Sequence, residues 1–342
     1  MKELLKQLCE LDGVAGYEDE VRAFIEEQAR PYADEMLVDA LGSLLVFKKG
    51  KQRRVRPMMV CAHMDEVGFL VRDITEDGML KLAPAGNIDP RVLIGRRMRV
   101  GEKKIPGVIS LKAIHLTTPE ERKIAPELSS LYIDMGCKSK EEALGLVQPG
   151  EPAMFDSKFI PFGTDCVKAK ALDDRIGCAV MLELLKEELE YDTWFAFVCG
   201  EEIGSRGATV AVHRIQPGCL LVIEGTTAAD MPEVKPHKQS CRQREGAVVS
   251  LADGGAIYDR DFREKVLKKA DEQGVKWQYR KSKNGSTDAE KHIEAGVGAI
   301  AFGLSAPVRY IHCACNVAYL PDVEEVKKLA SIVIKEAGEL NV

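Results

Sequence analysis

A chain of 342 residues, 45% hydrophobic and with a net charge of −6, is long enough for one large domain or two ordinary ones around a real core. Its 48 basic residues are scattered rather than gathered into a stripe, which excludes an electrostatic nucleic-acid surface. No run approaches the ~20 apolar residues of a membrane span, and the opening "MKELLKQLCELDG" is amphipathic rather than signal-like, so the expectation is a cytoplasmic protein without a membrane partner.

The first elements alternate helix and strand. "ELLKQLCEL" and "EDEVRAFIEEQARPYA" carry apolar residues at helical spacing, and "SLLVFKK" and "VRPMMVCAH" read as strands. The basic run between them, "KKGKQRR", reads as a solvated hairpin loop. After Glu66 the composition changes. "VGFLVRDI", "MLKLAPAG", "RVLIGRRMRV", "IPGVISL" and "PAMFDS" are short β-like runs split by Gly and Pro, with one helical piece, "SKEEALGL". Short strands at this spacing predict a small β-barrel or sandwich over residues 66–165.

After Lys170 the alternation returns. "DDRIGCAVMLELLKEEL" predicts an amphipathic helix with acids in its first turn. It is followed by the strand "WFAFVCG", the helix "GATVAVHRI", the strand "CLLVIEG", a helix from Phe262 to Gln273, the strand "VGAIAFGLS" and a last helix from Asp322 to Gly338. The economical account is an α/β domain, residues 1–65 and 166–342, interrupted by a β-rich insertion. Cysteines sit singly inside apolar runs, apart from Cys313 and Cys315, which is the habit of reduced buried thiols. That C-x-C pair is too short for a zinc knuckle.

Five segments end an apolar run in metal-binding side chains: His63 with Asp65 in "MMVCAHMDE", Asp173 and Asp174 in "AKALDDRIG", Glu201 and Glu202 in "FVCGEEIG", Glu224 in "CLLVIEG", and His312 in "VRYIHCACN". Each alone has an ordinary reading as a cap, a loop acid or a surface histidine. Together they point to one site, because ligands of open α/β sheets gather at the carboxyl ends of strands. Taking His63, Asp173, Glu202, Glu224 and His312 as ligands brings three negative charges, which two divalent cations and one bridging hydroxide balance. A single cation would leave excess buried negative charge. Asp173 is the natural shared carboxylate for ions ~3.5–4 Å apart. Of the paired glutamates, one can bind metal while the other stays free to move a proton. Asp65, two residues after His63, suits an acceptor that orients the imidazole.

These motifs, in this order, resemble metallopeptidase family 42, the TET-type co-catalytic aminopeptidases also known as glutamyl aminopeptidase or cellulase M-like proteins. "LLKQLCELDGVAGYEDEVR", "AHMDEVGF", "GVISLKAIHL", "LYIDMGCKSKEEA", "ALDDRIGC", "CGEEIGSRGA", "STDAEKHIEAGVGAI" and "VRYIHCACN" carry the resemblance over nearly the whole chain. It implies a mixed-sheet, zinc-peptidase-like catalytic domain with helices on both faces and an inserted small β-barrel domain for substrate access and assembly. It also implies Glu201 as general base, His63 and Glu224 on the first metal with the catalytic-site Asp65 as the orienting partner of His63, Glu202 and His312 on the second metal, and Asp173 bridging. Thr287 and Asp288 would fall near the substrate's amine, although an N-cap role for Asp288 fits equally. The expected cofactors are two zinc or cobalt ions, manganese being compatible. The expected substrates are short peptides, and the expected assembly is a homo-oligomer, a tetrahedral dodecamer.

The sequence departs from the family's pattern at Glu224, usually Asp, and at Cys313, Ala314, Cys315 and Asn316, where "HSPxE" is common. Soft ligation by the thiols is one reading of that change. "DGGAIYDR" and "MPEVKPHKQSCRQREG" are only loosely family-like. His115, His213 and His237 read as structural or surface residues. Two other activities remain open at this level: a deacylase or carboxypeptidase on the same metal core, with Arg309 offered to a substrate carboxylate, and a scaffold without catalysis.

Overall fold

The computed structural model describes residues 1–282, 285–290 and 298–340. Helices α1 (Lys2–Glu10) and α2 (Asp19–Ala29) precede strands β1 (Glu35–Val38), β2 (Leu44–Lys48) and β3 (Met58–His63). The insertion follows with β4 (Gly68–Ile74), β5 (Leu80–Ala85), β6 (Arg97–Val100), β7 (Ile105–Ser110), β8 (Tyr132–Asp134), α3 (Lys140–Leu144) and β9 (Pro152–Phe155). The chain then runs through β10 (Ile160–Phe162), β11 (Cys166–Ala169), α4 (Leu172–Leu184), β12 (Thr193–Val198), α5 (Arg206–Ile215), β13 (Cys219–Thr227) and β14 (Ala247–Val249). It closes with α6 (Arg260–Glu272), β15 (Trp277–Tyr279), β16 (Ile300–Arg309), β17 (Asn316–Tyr319) and α7 (Leu320–Ala337).

One mixed sheet has the order β1-β2-β12-β3-β13-β16-β17-β11-β10, with β14 and β15 branching from β16. Its centre, β12-β3-β13-β16, is parallel. Central strands are apolar on both faces because both are covered. On β3, Met58, Val60 and Ala62 join the core beneath α1, α2, α4, α6 and α7, while Met59 and Cys61 join the opposite core beneath α5. The insertion closes as a six-stranded barrel, β4-β5-β8-β7-β6-β9, with its own core around Phe69, Val100, Ile133 and Phe155.

Four details differ from the sequence reading. The basic run after β2 is not a hairpin loop: β12 lies between β2 and β3, because that aromatic strand has an apolar partner on each side. "RVLIGRRMRV" is a strand only from Arg97; a 3-10 turn begins at Pro90, where Asp89 caps Arg91. α4 is not amphipathic, since nearly every residue is buried, and Asp173 and Asp174 lie off helical geometry rather than capping it. Finally, β10 pairs with β11 in the large sheet, so a boundary at residue 165 cuts through a hairpin.

A buried ionic cluster joins the parts. Lys170 and Arg175, both inaccessible, face Glu66, and the Lys170 Nζ also donates to the Leu11 carbonyl (2.5 Å). Glu66 accepts the Gly13 N–H (3.2 Å) and the Arg175 Nε donates to the Met64 carbonyl (2.9 Å). From the barrel, Arg99 and Lys104 reach Asp12, the latter at 3.1 Å. Paired charges of this kind are tolerated in an interior only with their hydrogen bonds made, so the cluster fixes where α4 begins relative to β3.

Candidate metal centre

The parallel strands place their carboxyl ends side by side, and there the acidic side chains collect. His63 is the last residue of β3 and pairs with Val198, the last of β12. Beyond Val198 the chain leaves the sheet: Gly200 takes φ +64°, so Glu201 and Glu202 escape strand alternation and face one site. Glu224 is not at the end of β13, which runs on to Thr227; it lies two residues past Val222, the last β13 residue paired with β3. Asp173 and Asp174 enter at the start of α4, and His312 (φ +58°) sits on the turn between β16 and β17.

Five predicted ligands converge. The His63 Nε2 is 3.5 Å from Asp173 Oδ1 and 3.5 Å from Glu224 Oε2. The His312 Nε2 is 3.6 Å from Asp173 Oδ2 and 3.4 Å from Glu202 Oε1. Asp173 thus presents one oxygen to each imidazole. These spacings exceed a good N–H···O bond. They suit ligands around an ion, since tetrahedral bonds of ~2.0–2.1 Å separate neighbouring ligand atoms by about 3.3–3.4 Å.

The charge distribution agrees with that reading. Burial pushes Glu201 well above the usual carboxylate range and Glu202 to about 8, the latter only partly offset by His312. Burial and the Glu224 charge raise Asp174 well above its usual value, and burial raises Glu224 too. Burial alone would lower the histidines, yet Asp173 and the other acids outweigh it: His63 is raised and His312 reaches about 9. Burial would also raise Asp173, but the two imidazoles hold it below the usual range. Without cations the cluster therefore retains protons. Glu224 Oε1 and Asp174 Oδ2 are buried acceptors with no hydrogen-bond partner. A set of two imidazoles and several carboxylates with orphaned oxygens fits the binding of divalent metal.

The supporting contacts were only partly foreseen. Asp65 accepts the Glu201 N–H on Oδ1 (3.0 Å) and the Glu202 N–H on Oδ2 (3.1 Å), so it aims both glutamates. The His63 Nδ1 is nearer the Asp65 carbonyl (3.1 Å) than its carboxylate (3.4 Å). The His312 Nδ1 contacts the Asn87 carbonyl (2.9 Å) on the segment after β5, so the insertion orients this ring. A backbone carbonyl leaves no mark in sequence. Asn316 donates through Nδ2 to the carbonyls of Tyr310 (2.7 Å) and Cys313 (3.0 Å), stapling the His312 turn as a glutamate could not. The Cys313 thiol donates to the Tyr310 carbonyl (2.9 Å), and Arg96 reaches Cys315 Sγ (3.8 Å); neither sulfur belongs to the ligand groups found among the described residues. Asp174, which the sequence pairs with Asp173 but which the predicted ligand set omits, lies beside His63 and Glu224.

A cleft of about 760 Å³ opens onto Asp173, Glu201, Glu202, Glu224 and His312. Thr287 lines it, with Arg206, Arg280 and Glu290. Asp288 does not: its carboxyl is fully buried, hydrogen-bonded with Ser205 and 3.7 Å from the Cys61 thiol. The expectation that it meets a substrate amine is corrected by that burial. Arg309 is also withdrawn from substrate, bound bidentately by Asp230 at 2.7 Å through each pair of atoms. His115, His213 and His237 are exposed and lie away from the cluster, while His292 falls outside the described residues.

The family profile of M42 glutamyl aminopeptidase matches residues 42–329. A putative aminopeptidase of Acetivibrio thermocellus is 33% identical over 332 residues, covering 96% of this chain and 97% of its own. A TET aminopeptidase from a marine-sediment Thaumarchaeota archaeon superimposes with a TM-score of 0.94 at 33% identity, over 98% of this chain and 95% of that one. The TET1 peptidase of Pyrococcus horikoshii, which can assemble into a tetrahedron or a large octahedral shell, gives a TM-score of 0.86 at 32% identity over 99% of both chains.

Proposed function

This chain belongs to the M42 glutamyl aminopeptidase family of peptide hydrolases, and we propose that it removes N-terminal residues from short peptides at a two-metal centre with Glu201 as proton shuttle. The observation that carries the reading is Asp173, whose two oxygens face two different imidazoles at 3.5 and 3.6 Å. His63 and Glu224 would hold one ion, His312 and Glu202 the other, and Asp173 both. Bound there, two divalent ions supply a water nucleophile and polarise the scissile carbonyl. The donor set of imidazole and carboxylate suits zinc, cobalt or manganese.

The chain's own groups perform the rest. Among the described residues Glu201 has no partner imidazole, and it lines the cleft, where it would accept a proton from the attacking water and return it to the leaving amine. Burial raises its proton affinity above that of an ordinary carboxylate, the direction that suits a group which both takes up and returns a proton. Asp65 sets its direction through the backbone amide. Engagement of Arg309 by Asp230 withdraws the cation that the sequence offers to a carboxypeptidase's substrate carboxylate. The segment between β7 and β8 exposes Ile114, Leu116 and Ile124, an apolar surface for a homo-oligomer in which the inserted domain would govern assembly and substrate access. No described helix is long and apolar enough to cross a membrane. All ten cysteines are free thiols, in keeping with a reducing cytoplasm.

The test is a panel of aminoacyl anilides offered with free and with N-acetylated amino groups to metal-loaded protein. Release from the free amines alone is expected. Preferential hydrolysis of the acetylated set would move the activity to a deacylase.

A further inference from the structure

The turn between β16 and β17 holds two thiols, Cys313 and Cys315, directly after His312, and the chemistry above uses neither. They differ in setting. Cys313 is buried: its thiol donates to the Tyr310 carbonyl (2.9 Å), and its sulfur accepts the Cys315 N–H (3.3 Å). Cys315 is only partly buried, and its sulfur receives the Nη1 of Arg96 from the insertion at 3.8 Å. Partial exposure beside a cation is the setting of a reactive cysteine, whereas a thiol buried among apolar and backbone groups is inert toward solvent.

The two sulfurs are within reach of each other. The amide nitrogen that touches the Cys313 sulfur is two covalent bonds from the Cys315 Cβ, so rotation about the Cys315 Cα–Cβ bond, away from Arg96, brings sulfur toward sulfur. The chain turns at Ala314 and Cys315, which draws the Cα atoms of 313 and 315 together rather than apart, as the ~4.4–6.8 Å Cα spacing of a disulfide requires. The same contacts hold His312 in place. Tyr310 and His312 both take positive φ, +57° and +58°, a conformation that non-glycine residues keep only where surrounding bonds enforce it. Among those bonds are the Cys313 thiol and the Asn316 amide on the Tyr310 carbonyl. A disulfide takes away the thiol hydrogen, and with it that donor.

We infer that Cys313 and Cys315 are a peroxide-sensitive dithiol pair whose disulfide loosens the His312 turn and weakens metal held by that imidazole. The chemistry balances with hydrogen peroxide as oxidant. The Cys315 sulfur attacks the O–O bond, which breaks to give a sulfenic acid and water. The Cys313 sulfur then attacks the sulfenic sulfur; the S–S bond forms, and the hydroxyl leaves with the thiol proton as a second water. Two thiols are oxidised and one peroxide is reduced, and a dithiol reductant reverses the change by exchange. Formation of the disulfide stands on the turn alone; its effect on metal rests on the reading of His312 as a ligand.

The experiment treats zinc-loaded full-length protein with hydrogen peroxide, for wild type, Cys313→Ser and Cys315→Ser. It reads peptide masses after thiol blocking, and zinc affinity. Cys166 is likewise partly buried and meets Arg244 at 3.7 Å, so it is the internal control for an arginine-flanked thiol outside a C-x-C pair. The expected result is a peptide spanning 313–315 that resists blocking and lacks the mass of two hydrogens, with zinc bound about 10-fold or more weakly, the usual scale for outer contacts of metal ligands. Dithiothreitol should restore both, and Cys315→Ser should keep its zinc under peroxide. Sulfinic acid at Cys315 with Cys313 still free overturns the inference, as does equal zinc loss from Cys315→Ser and wild type. A disulfide that leaves zinc affinity unchanged overturns its control of His312. Equal zinc binding by reduced wild type and His312→Ala would instead sink the two-metal reading, a result read without oxidant, and the effect on metal would fall with it.

Discussion

Glu201 and Glu202 are chemically identical neighbours placed in different surroundings. Glu202 stands 3.4 Å from the His312 Nε2, whereas Glu201 lines the cleft and is held through its backbone by Asp65. Glu201→Gln keeps the shape and removes the base, so kcat on a free-amine anilide should fall by about 10²–10⁴-fold with metal content unchanged; loss of metal along with activity would make Glu201 a ligand instead. The same cluster sets a pH dependence. A carboxyl whose pKa is raised on folding contributes stability that is complete below its unfolded value, near 4.5, and lost as pH rises through its folded value. Glu202 is raised to about 8 and Asp288 to about 7, in both cases chiefly by burial. His312, raised to about 9 mainly by Asp173 against the effect of burial, contributes below its unfolded value of 6.5 and loses that contribution as pH rises through 9. The signs agree, so metal-stripped protein should melt lower at pH 8 than at pH 5.5, and metal-loaded protein should not show that decline, as paired thermal scans would reveal. Much of the convergence was legible in the sequence, because most of these histidine and acidic side chains follow an apolar run that the sheet aligns. Asp174 was hidden by its resemblance to a helix cap, and Asn87 because it acts through its carbonyl.

At the scale of elements, the register of β13 against α4 makes the centre. The Gly225 N–H donates to Asp173 Oδ1 (3.1 Å), and a Cβ at Gly225 would sit 2.9 Å from both Asp173 Cβ and Oδ1. Gly225→Ala therefore pushes directly on the Asp173 carboxylate. Metal retained after dialysis should drop at both half-sites, while overpacking costs about 1–3 kcal/mol of stability; full retention would show that Asp173 does not bridge. Sequence periodicity located most elements but not their partners. Nothing in "KKGKQRR" tells that β12, about 140 residues later, slips between β2 and β3; that follows from which apolar strand finds cover on both faces. Likewise the acids opening α4 have the composition of an N-terminus, yet the burial of Arg175 and Lys170 beneath them takes the helix into the core and turns Asp173 toward the imidazoles.

Across the whole molecule, the insertion and the sheet are not independent parts. Asp12, beside α1, collects Arg99 and Lys104 from the barrel and lies 3.7 Å from Lys170 of the large domain. The barrel in turn lends the Asn87 carbonyl to His312, so one of the two imidazoles of the cluster is oriented by the insertion. The other is oriented from within the large sheet, by β3 and β13. A centre assembled from both bodies around one shared carboxylate should work only when both ions are present. The most direct measurement is hydrolysis of a free-amine anilide by metal-stripped protein as zinc or cobalt is added in known equivalents per chain, with Asp173→Asn alongside. The account predicts that activity reaches its plateau at two equivalents and that the variant stays inactive. A plateau at one equivalent, or undiminished activity in the presence of excess chelator, would contradict it.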